Sequence, residues 1–234
     1  MSSPLLPVPC VDWWCFAFTE VKGDPAQLDE AEQERYRAFY FERDRSAYLA
    51  AHLGLRRILA WRLGCLPTEV RMVRQERGKP RLQLPFHPDP PDFNLSHCSS
   101  HAAVAVASGA RVGIDIETVR LLDDIDGMLE MVAAEAELAQ FHALPAELRL
   151  AAFWRAWTVK EAVLKALGVG FGQDPRTVAV DLDPRRPLRL LEESSWRLWS
   201  LEVGPGLVAT LAADTDCQPC WRPLPVAPGP AYGI

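Results

Sequence analysis

Two acidic residues lie on one side of an apolar strand pattern, VGIDIE, at residues 112–117. Alternate side chains of a strand share a face, so Asp115 and Glu117 point together while Ile114 and Ile116 face a core. Neighbouring carboxylates repel and raise each other's pKa, and a hard cation such as Mg²⁺, which takes oxygen ligands, removes that penalty. The pattern therefore predicts a metal site, although a strand with one solvated face would show the same alternation.

A further acidic residue, Glu161, lies in an apolar helix pattern, FWRAWTVKEAVLKALG, at residues 153–168. Glu161 and Lys165 are four residues apart and so share one side of the helix. The helix is apolar nearly all round and should be largely buried, where a charge is costly unless it is paired or bound to a metal. Glu161 is thus a candidate metal ligand or base, and an ordinary surface ion pair with Lys165 is the alternative.

A third group of polar residues occurs in RGKPRL, residues 77–82, and FNLSHCSSH, residues 93–101. Lys79 lies in a tight turn, and Ser96 and His97 follow a short strand pattern. Each can donate a hydrogen bond to a phosphate oxygen, so together they form a candidate phosphate site. A structural turn histidine is the alternative for His97. The chain has no GxxxxGK[ST] loop, which argues against ATP held by such a loop.

The elements that must position these residues alternate between strands and helices. We predict a strand at residues 11–18, a helix over 29–63 stopped by Gly64, and a proline loop between Pro85 and Pro91. Three strands follow, in FNLSH, HAAVAVAS and VGIDIE. Helices are then predicted at 128–141 and 151–167, the second stopped by Gly168, with further strands between 178 and 213 and an irregular Pro-rich tail.

A faint internal repeat links the two halves of the chain. LGLRRILAWRLG ends at Gly64 and WTVKEAVLKALG ends at Gly168, while AAVAVAS and LVATLAA begin about 104 residues apart, at Ala102 and near Leu207. Two coincident offsets indicate two similar α/β halves with a boundary near Arg111. We therefore expect an N-terminal half at 1–110, a C-terminal half at 111–218 and a tail at 219–234.

Composition narrows the class of protein. The 234 residues carry a formal net charge of −6, with 49% hydrophobic and 24% charged residues. The acidic balance argues against a nucleic-acid partner, and the sequence shows neither an apolar run of membrane-spanning length nor a secretory signal. Cys217 and Cys220 form a CxxC without a second pair, which favours reduced thiols over a zinc site. A cytoplasmic enzyme is expected.

These motifs, taken in order, resemble those of the surfactin-type 4′-phosphopantetheinyl transferases. The family shows a G-K-P turn, an F-N-[IL]-S-H strand, a G-[IV]-D-[IVL]-E strand and a helix W-[ST]-x-K-E-[AS]-x-x-K followed by glycines. Here GKP begins at Gly78, FNLSH at Phe93, GIDIE at Gly113 and WTVKEAVLK at Trp157, with GVGFG after it. AFYFERDRSAYLAAHLGLRRIL matches the family more loosely.

The resemblance implies an α+β fold of two similar subdomains related by a pseudo-twofold axis, with the active site in the cleft between them. It implies Mg²⁺-dependent transfer of 4′-phosphopantetheine from coenzyme A to a serine of an apo acyl or peptidyl carrier protein, releasing 3′,5′-ADP. A chain that contains both halves needs no partner subunit, so a monomer without nucleic-acid or membrane partners is expected.

The resemblance also assigns residues. Asp115, Glu117 and Glu161 match the acidic metal site, with Glu161 as the best-placed general base, and Lys165 matches a lysine near the reacting phosphate. The expected contacts to the coenzyme A nucleotide are Arg35, Lys79, Ser96 and His97, with Arg35 near the 3′-phosphate.

The chain departs from the family pattern at two places. Glu32 stands where a lysine of the coenzyme A site is expected. Ala133 and Ala134 precede Glu137, where the family often has an aromatic residue and a Ser or Thr. These differences affect the expected 3′-phosphate contacts and the role of Glu137.

The segment LLDDIDGMLEMV at residues 121–132 is a candidate carrier-docking patch. Its apolar residues could face a carrier helix or the core of the protein, and the sequence does not choose between these. The expected patch comprises Leu122, Ile125, Met128, Leu129 and Val132.

Two other functions fit parts of the pattern. Acidic strands followed by Glu and Lys also build metal-dependent nuclease sites, but the acidic balance and the lack of a basic aromatic stripe argue against this function. A carrier-binding module without catalysis would not need Asp115, Glu117, Glu161 and Lys165 together.

Overall fold

A computed structural model describes residues 10–74, 78–83, 90–168 and 172–225, and five α-helices lie in these ranges. The two longest, α2 (Glu42–Leu63) and α5 (Ala146–Leu167), have 22 residues each. Both end at a glycine with positive φ, 67° at Gly64 and 70° at Gly168, a conformation that side chains other than glycine adopt at a cost. The shorter helices are α1 (Glu30–Ala38), α3 (Ile125–Val132) and α4 (Glu135–Ala143).

The described strands form two main sheets and a small ribbon. The first sheet has the order β4-β5-β1-β9, with β1 (Cys10–Ala17), β4 (Asp92–His97), β5 (His101–Ser108) and β9 (Cys220–Trp221). The second has the order β6-β8-β7, with β6 (Val112–Thr118), β7 (Arg197–Leu201) and β8 (Leu207–Ala213). β2 (Met72–Arg74) and β3 (Pro80–Leu82) pair as the ribbon. Neighbours are antiparallel except β1 and β9.

The two main sheets pack face to face between the two long helices. Alternate residues of β1 serve two cores, because Trp14 and Phe16 pack with α2 while Val11 and Trp13 face the second sheet. In the second sheet, Ile114 and Ile116 of β6 join this middle core, as their alternation predicts. α5 covers the opposite face of that sheet. The layers therefore run α2, first sheet, second sheet, α5.

The mixed α+β architecture agrees with the prediction, but two predicted helices are each broken in two. Residues 29–63 form α1 and α2, separated at Phe39, where the backbone turns extended and its carbonyl accepts a hydrogen bond from Arg45 at 2.9 Å. Residues 128–141 fall in α3 and α4, separated at Ala133 and Ala134. Periodicity continues across such breaks, because both helices of a pair face the same core, so the sequence pattern does not reveal them.

Two further predictions about loops and tail have different outcomes. The prediction that the tail is irregular is wrong at Cys220 and Trp221, which pair with β1 as strand β9. The predicted proline loop falls mostly on residues 84–89, outside the described residues. Cys217 and Cys220 are free thiols, as are the other cysteines whose side chains are described.

Candidate active site

The close packing of α5 on β6 brings the sequence-predicted acidic residues together. A Cβ atom added to Gly113 would lie 1.9 Å from the carbonyl oxygen of Ala162, so only glycine permits this approach of strand and helix. Asp115 and Glu117 follow Gly113 at alternate positions of β6 and share its face towards α5. Glu161 and Lys165 lie on the same stretch of α5.

Asp115 is the centre of this arrangement and is only 2% exposed. Its Oδ1 accepts hydrogen bonds from the Ser96 hydroxyl at 2.8 Å and from the Lys165 ammonium at 2.6 Å. Lys165 Nζ also lies 3.0 Å from Ser96 Oγ. The other oxygen, Oδ2, is buried and has no hydrogen-bond partner among the described residues. A buried carboxylate oxygen without a partner is costly, and it marks a position where a cation or a ligand group can bind.

The two glutamates of the site are both protonated more easily than ordinary glutamates. Burial, and secondly the charge of Asp115, raises the pKa of Glu117 despite a 3.2 Å hydrogen bond from Trp157 Nε1. Burial also raises the pKa of Glu161, where the charge of Lys165 partly opposes this effect and Asp115 adds to it. Asp115 therefore acts electrostatically on both glutamates, as the strand pattern predicted for Glu117.

The described residues contain no group of three His, Cys, Asp or Glu side chains that converges closely enough to hold a metal ion. In this structure Lys165 and Ser96 hold Asp115 through Oδ1 instead. The donor chemistry nevertheless fits Mg²⁺, because no described residue is a partner of Asp115 Oδ2 and burial disfavours the charges of Glu117 and Glu161.

A cavity of about 710 Å³ opens beside this site, between α1, α2 and the first sheet. Its lining includes Arg35 from α1, His52 from α2 and His97 from the end of β4. His97 is at the exposed end of its strand, yet desolvation by surrounding protein atoms lowers its pKa, and the charges of His52 and Lys165 act in the same direction. His97 thus lies between the cavity and the carboxylate site.

Two family comparisons cover most of the chain. The 4′-phosphopantetheinyl transferase superfamily matches residues 111–213, and the N-terminal part of a 4′-phosphopantetheinyl transferase matches residues 13–109. The chain is 34% identical over 187 residues to the 4′-phosphopantetheinyl transferase HetI of Nostoc sp., covering 80% of this chain and 78% of that protein. The chain belongs to the 4′-phosphopantetheinyl transferase family.

Further relatives agree with this membership. A putative 4′-phosphopantetheinyl transferase of Synechocystis sp. is 27% identical, over 86% of this chain and 81% of its own length. The human L-aminoadipate-semialdehyde dehydrogenase-phosphopantetheinyl transferase is 30% identical, over 67% of this chain and 53% of its own length. The protein is thus an enzyme that transfers 4′-phosphopantetheine to carrier proteins. Neither family match supports the nuclease function or a binding module without catalysis.

In this transferase, Glu32 is part of a buried ionic network. Its carboxylate accepts from Arg56 Nε at 2.6 Å and lies 2.7 Å from His52 Nδ1. Burial acts to raise the pKa of Glu32, but the hydrogen bond from His52 and the charge of Arg56 outweigh it and the pKa is lowered. Glu32, which stands where a lysine is expected, therefore joins α1 to α2 and forms part of one wall of the cavity.

Lys79 lies apart from the other predicted coenzyme A contacts of the transferase. Its ammonium donates to Asp92 Oδ2 at 2.6 Å and to the Val112 carbonyl at 2.9 Å. Asp92 is at the opposite end of β4 from Ser96 and His97, about 13 Å away at the usual rise of a strand. The structure thus brings Arg35 and His97 to one cavity and Ser96 to Asp115, but it does not bring Lys79 to either.

Sequence reasoning missed a buried ion pair behind the site. Lys160, which precedes Glu161 on α5, donates to Glu137 Oε2 at 2.8 Å, and the side chains are 2% and 0% exposed. Glu137 Oε1 also accepts from the Val180 amide at 2.9 Å. The available signal was a lysine on a helix that is apolar nearly all round, because such a charge requires a buried partner.

The candidate carrier-docking patch is mostly directed into the transferase. Leu129 is fully buried, and Leu122, Ile125, Met128 and Val132 pack partly buried against the core beneath α5. Of the two alternatives for this segment, the core-facing one holds for Leu129, which leaves no side-chain surface for a carrier. Leu121 and Met131 are the exposed apolar residues of the segment, at 87% and 62%.

None of the described helices is long and apolar enough to cross a membrane.

Proposed function

We propose that the transferase uses coenzyme A as donor and a serine of an apo carrier protein as acceptor, and that the reaction occurs between β6 and α5. The observation that carries this proposal is the buried Oδ2 of Asp115, which has no partner in the described part of the chain, beside two glutamates whose pKa values are raised. Carboxylates in this state fit a site that binds Mg²⁺ together with a charged phosphate group.

The residues of the cavity would hold the nucleotide of coenzyme A. Arg35 and His97, which line the cavity, can donate hydrogen bonds to its phosphates, and we assign the 3′-phosphate to Arg35. Ser96 stands at the junction, because its hydroxyl contacts Asp115 while the next residue, His97, lines the cavity. This order of residues would place the pyrophosphate between the cavity and the carboxylates.

Asp115, Glu117 and Glu161 would hold the metal ion. When bound, Mg²⁺ supplies positive charge that neutralises the pyrophosphate oxygens. The fit rests on the buried Oδ2 of Asp115, which has no hydrogen-bond partner among the described residues, and on two half-buried glutamates whose pKa values are raised. Lys165, now on Asp115 Oδ1, has an ammonium that can instead donate to a phosphate oxygen.

The chemistry then assigns a proton to Glu161. The serine hydroxyl oxygen of the carrier attacks the β-phosphorus of coenzyme A, and the bond from that phosphorus to the oxygen of 3′,5′-ADP breaks. Glu161, directly or through a water molecule, accepts the hydroxyl proton, and its raised pKa makes it a stronger base than an ordinary glutamate once ionised. Lys165 donates hydrogen bonds to the phosphate oxygens on which charge increases.

The two halves of the chain supply different parts of this site. The change from one family match to the other between residues 109 and 111 supports a boundary after residue 110. Arg35, Ser96 and His97 come from the N-terminal half, and the acidic residues come from the C-terminal half. We infer a pseudo-twofold pair of subdomains within one monomeric chain, with the active site in the cleft between them.

Glu161→Gln is the experiment that tests this proposal. The variant keeps the size of the side chain and one oxygen, but loses the charge and the base. We expect kcat to fall by roughly 10²–10⁴-fold and to stay low at saturating Mg²⁺, as for a lost general base. The measurement is the gain of one phosphopantetheine in the mass of purified apo carrier proteins, followed over time at several Mg²⁺ concentrations.

Asp115→Asn serves as the matched variant. Its defect should be concentrated in the Mg²⁺ concentration needed for half-maximal rate, since Asp115 has no proton to accept in this scheme. Near-normal turnover of Glu161→Gln at ordinary Mg²⁺ would remove Glu161 from the mechanism. Recovery of its rate at high Mg²⁺ would make it a metal ligand only.

A further inference from the structure

Strands β4 and β6 belong to different sheets, and side chains rather than backbone groups join their edges. Asp92, Asn94 and Ser96 lie at alternate positions of β4 and so point the same way. Their oxygens accept hydrogen bonds from three alternate backbone amides of β6. The distances are 2.9 Å for Val112 N to Asp92, 2.9 Å for Ile114 N to Asn94 and 3.4 Å for Ile116 N to Ser96.

This row of contacts, here called the β4–β6 ladder, takes the place of a neighbouring strand, since none of the described strands pairs with this edge of β6. β6 is the edge of its sheet, and amides at a buried edge must find acceptors. Because three polar side chains of one half accept from three amides of the other, the ladder fixes how the halves are aligned along the strands. A shift of one residue would place apolar side chains against the amides.

One end of the ladder reaches the carboxylate site. Ser96 accepts from Ile116 N and donates to Asp115 Oδ1 at 2.8 Å, and Lys165 binds both side chains. The alignment of the strands therefore decides whether the Ser96 hydroxyl meets Asp115.

Lys79 closes the other end of the ladder. Its ammonium donates to Asp92 Oδ2, which also accepts from Val112 N, and it donates directly to Val112 O. Both backbone groups of Val112 are thus tied to the Lys79–Asp92 pair. Lys79 is only 8% exposed, and among the described residues these are its hydrogen-bond partners.

We propose that Lys79 is a positioning residue, which with Asp92 holds the start of β6 against β4 and so aligns Ser96 with Asp115 and Lys165. This inference rests on the proposed function, in which the carboxylate site carries the reaction. It assigns Lys79 to the joint between the halves rather than to the phosphates of coenzyme A.

The test compares Lys79→Met with the wild-type protein, because methionine keeps an unbranched apolar side chain and removes the ammonium. We expect kcat to fall by about 10–10²-fold, since misplacement of reacting groups by about 1 Å costs up to that much. The Kd of 3′,5′-ADP, measured by calorimetry without turnover, and the KM for coenzyme A should change by less than about threefold, a small difference in free energy. Lys22→Met, at an exposed lysine, is the control and should match wild type.

The double variant Lys79→Met with Asp92→Asn keeps the test valid if the single variant folds poorly. Asparagine still offers an oxygen to Val112 N and leaves no unpaired buried charge, so the double variant should be at least as stable and as active as Lys79→Met. Additive losses of activity in the double variant would overturn the proposal. A rise in the Kd of 3′,5′-ADP with unchanged kcat would also overturn it and make Lys79 a phosphate contact. Wild-type protein that neither transfers phosphopantetheine nor binds 3′,5′-ADP would instead contradict the proposed function itself.

Discussion

The two halves of the transferase build the same buried ion pair and use it differently. In the N-terminal half, Glu32 of α1 binds Arg56 of α2, and in the C-terminal half, Glu137 of α4 binds Lys160 of α5. Each glutamate caps its own short helix by accepting the amide of the capping residue, Asp29 or Ala134.

The cations of the two pairs also bind equivalent backbone groups. Arg56 donates to the carbonyls of Pro67 and Val70, which flank a short 3₁₀ turn after α2. Lys160 donates to the carbonyls of Pro175 and Val178, around the corresponding turn after α5. These shared contacts are the structural form of the internal repeat seen in the sequence.

The difference lies in the last partner of each glutamate. Glu137 Oε1 accepts from the backbone amide of Val180, so every contact closes on the protein. Glu32 Oε1 instead meets the ring of His52, which lines the 710 Å³ cavity. About 104 residues later the chain has Ala156 in place of this histidine. The two copies of the repeat thus differ, because the Glu137–Lys160 pair is closed by protein groups whereas Glu32 of the Glu32–Arg56 pair forms part of the cavity wall.

The largest loss of stability is expected at the buried Glu137–Lys160 pair. Glu137→Gln leaves the Lys160 ammonium buried without its counter-charge, and breaking a buried pair in this way costs about 3–5 kcal/mol. Urea unfolding of the variant beside wild type measures this loss. Glu135→Gln, at an exposed glutamate of the same helix, is the control and should change stability by less than about 0.5 kcal/mol. An equally small effect of Glu137→Gln would show that the pair is not a support.

Replacement of His52 should lower stability less, but it should weaken the binding of coenzyme A. His52→Gln leaves Glu32 bound to Arg56, so unfolding free energy should fall by only about 1 kcal/mol. The variant removes an imidazole from the cavity wall, and we expect the KM for coenzyme A to rise several-fold while kcat stays close to wild type. His142→Gln, at an exposed histidine, controls for surface effects. An unchanged KM for coenzyme A in His52→Gln would mean that the Glu32–Arg56 and Glu137–Lys160 pairs do not differ in function.

The smallest effect on stability is expected at Glu117 and Glu161, which lack the buried ion pair of Glu32 and of Glu137. The raised pKa values of Glu117 and Glu161 mean that folding favours their protonated forms. This cost is absent below the ordinary pKa of 4.5 and is complete above the raised pKa of the folded protein. Without Mg²⁺, Glu161→Gln should therefore raise Tm by a few degrees at pH 7, and the difference should vanish near pH 4. A lowered Tm at pH 7 would place Glu161 among the structural carboxylates.

Most of the predictions from the sequence came from the pattern of polar and apolar residues along single strands and helices. The alternation of VGIDIE placed Asp115 and Glu117 on one face of β6, and the apolar surroundings of Glu161 indicated its burial. Contacts between distant segments were beyond such patterns. The partners of Lys79 and Lys160 lie 13 and 23 residues away, and a phosphate contact and a buried ion pair require the same residue type. The helix breaks after Ala38 and at Ala133 depend on local caps, which periodicity does not show.

The pairing of β9 with β1 has a consequence for the order of events during synthesis. Cys220 and Trp221 pair in parallel with Asp12 and Trp13, and Arg222 forms a 2.7 Å ion pair with Asp12. While the ribosome makes the chain, β1 emerges long before β9, so its outer edge stays uncovered until residue 222 has followed. The first half of the protein therefore completes its sheet only after the second half has been translated.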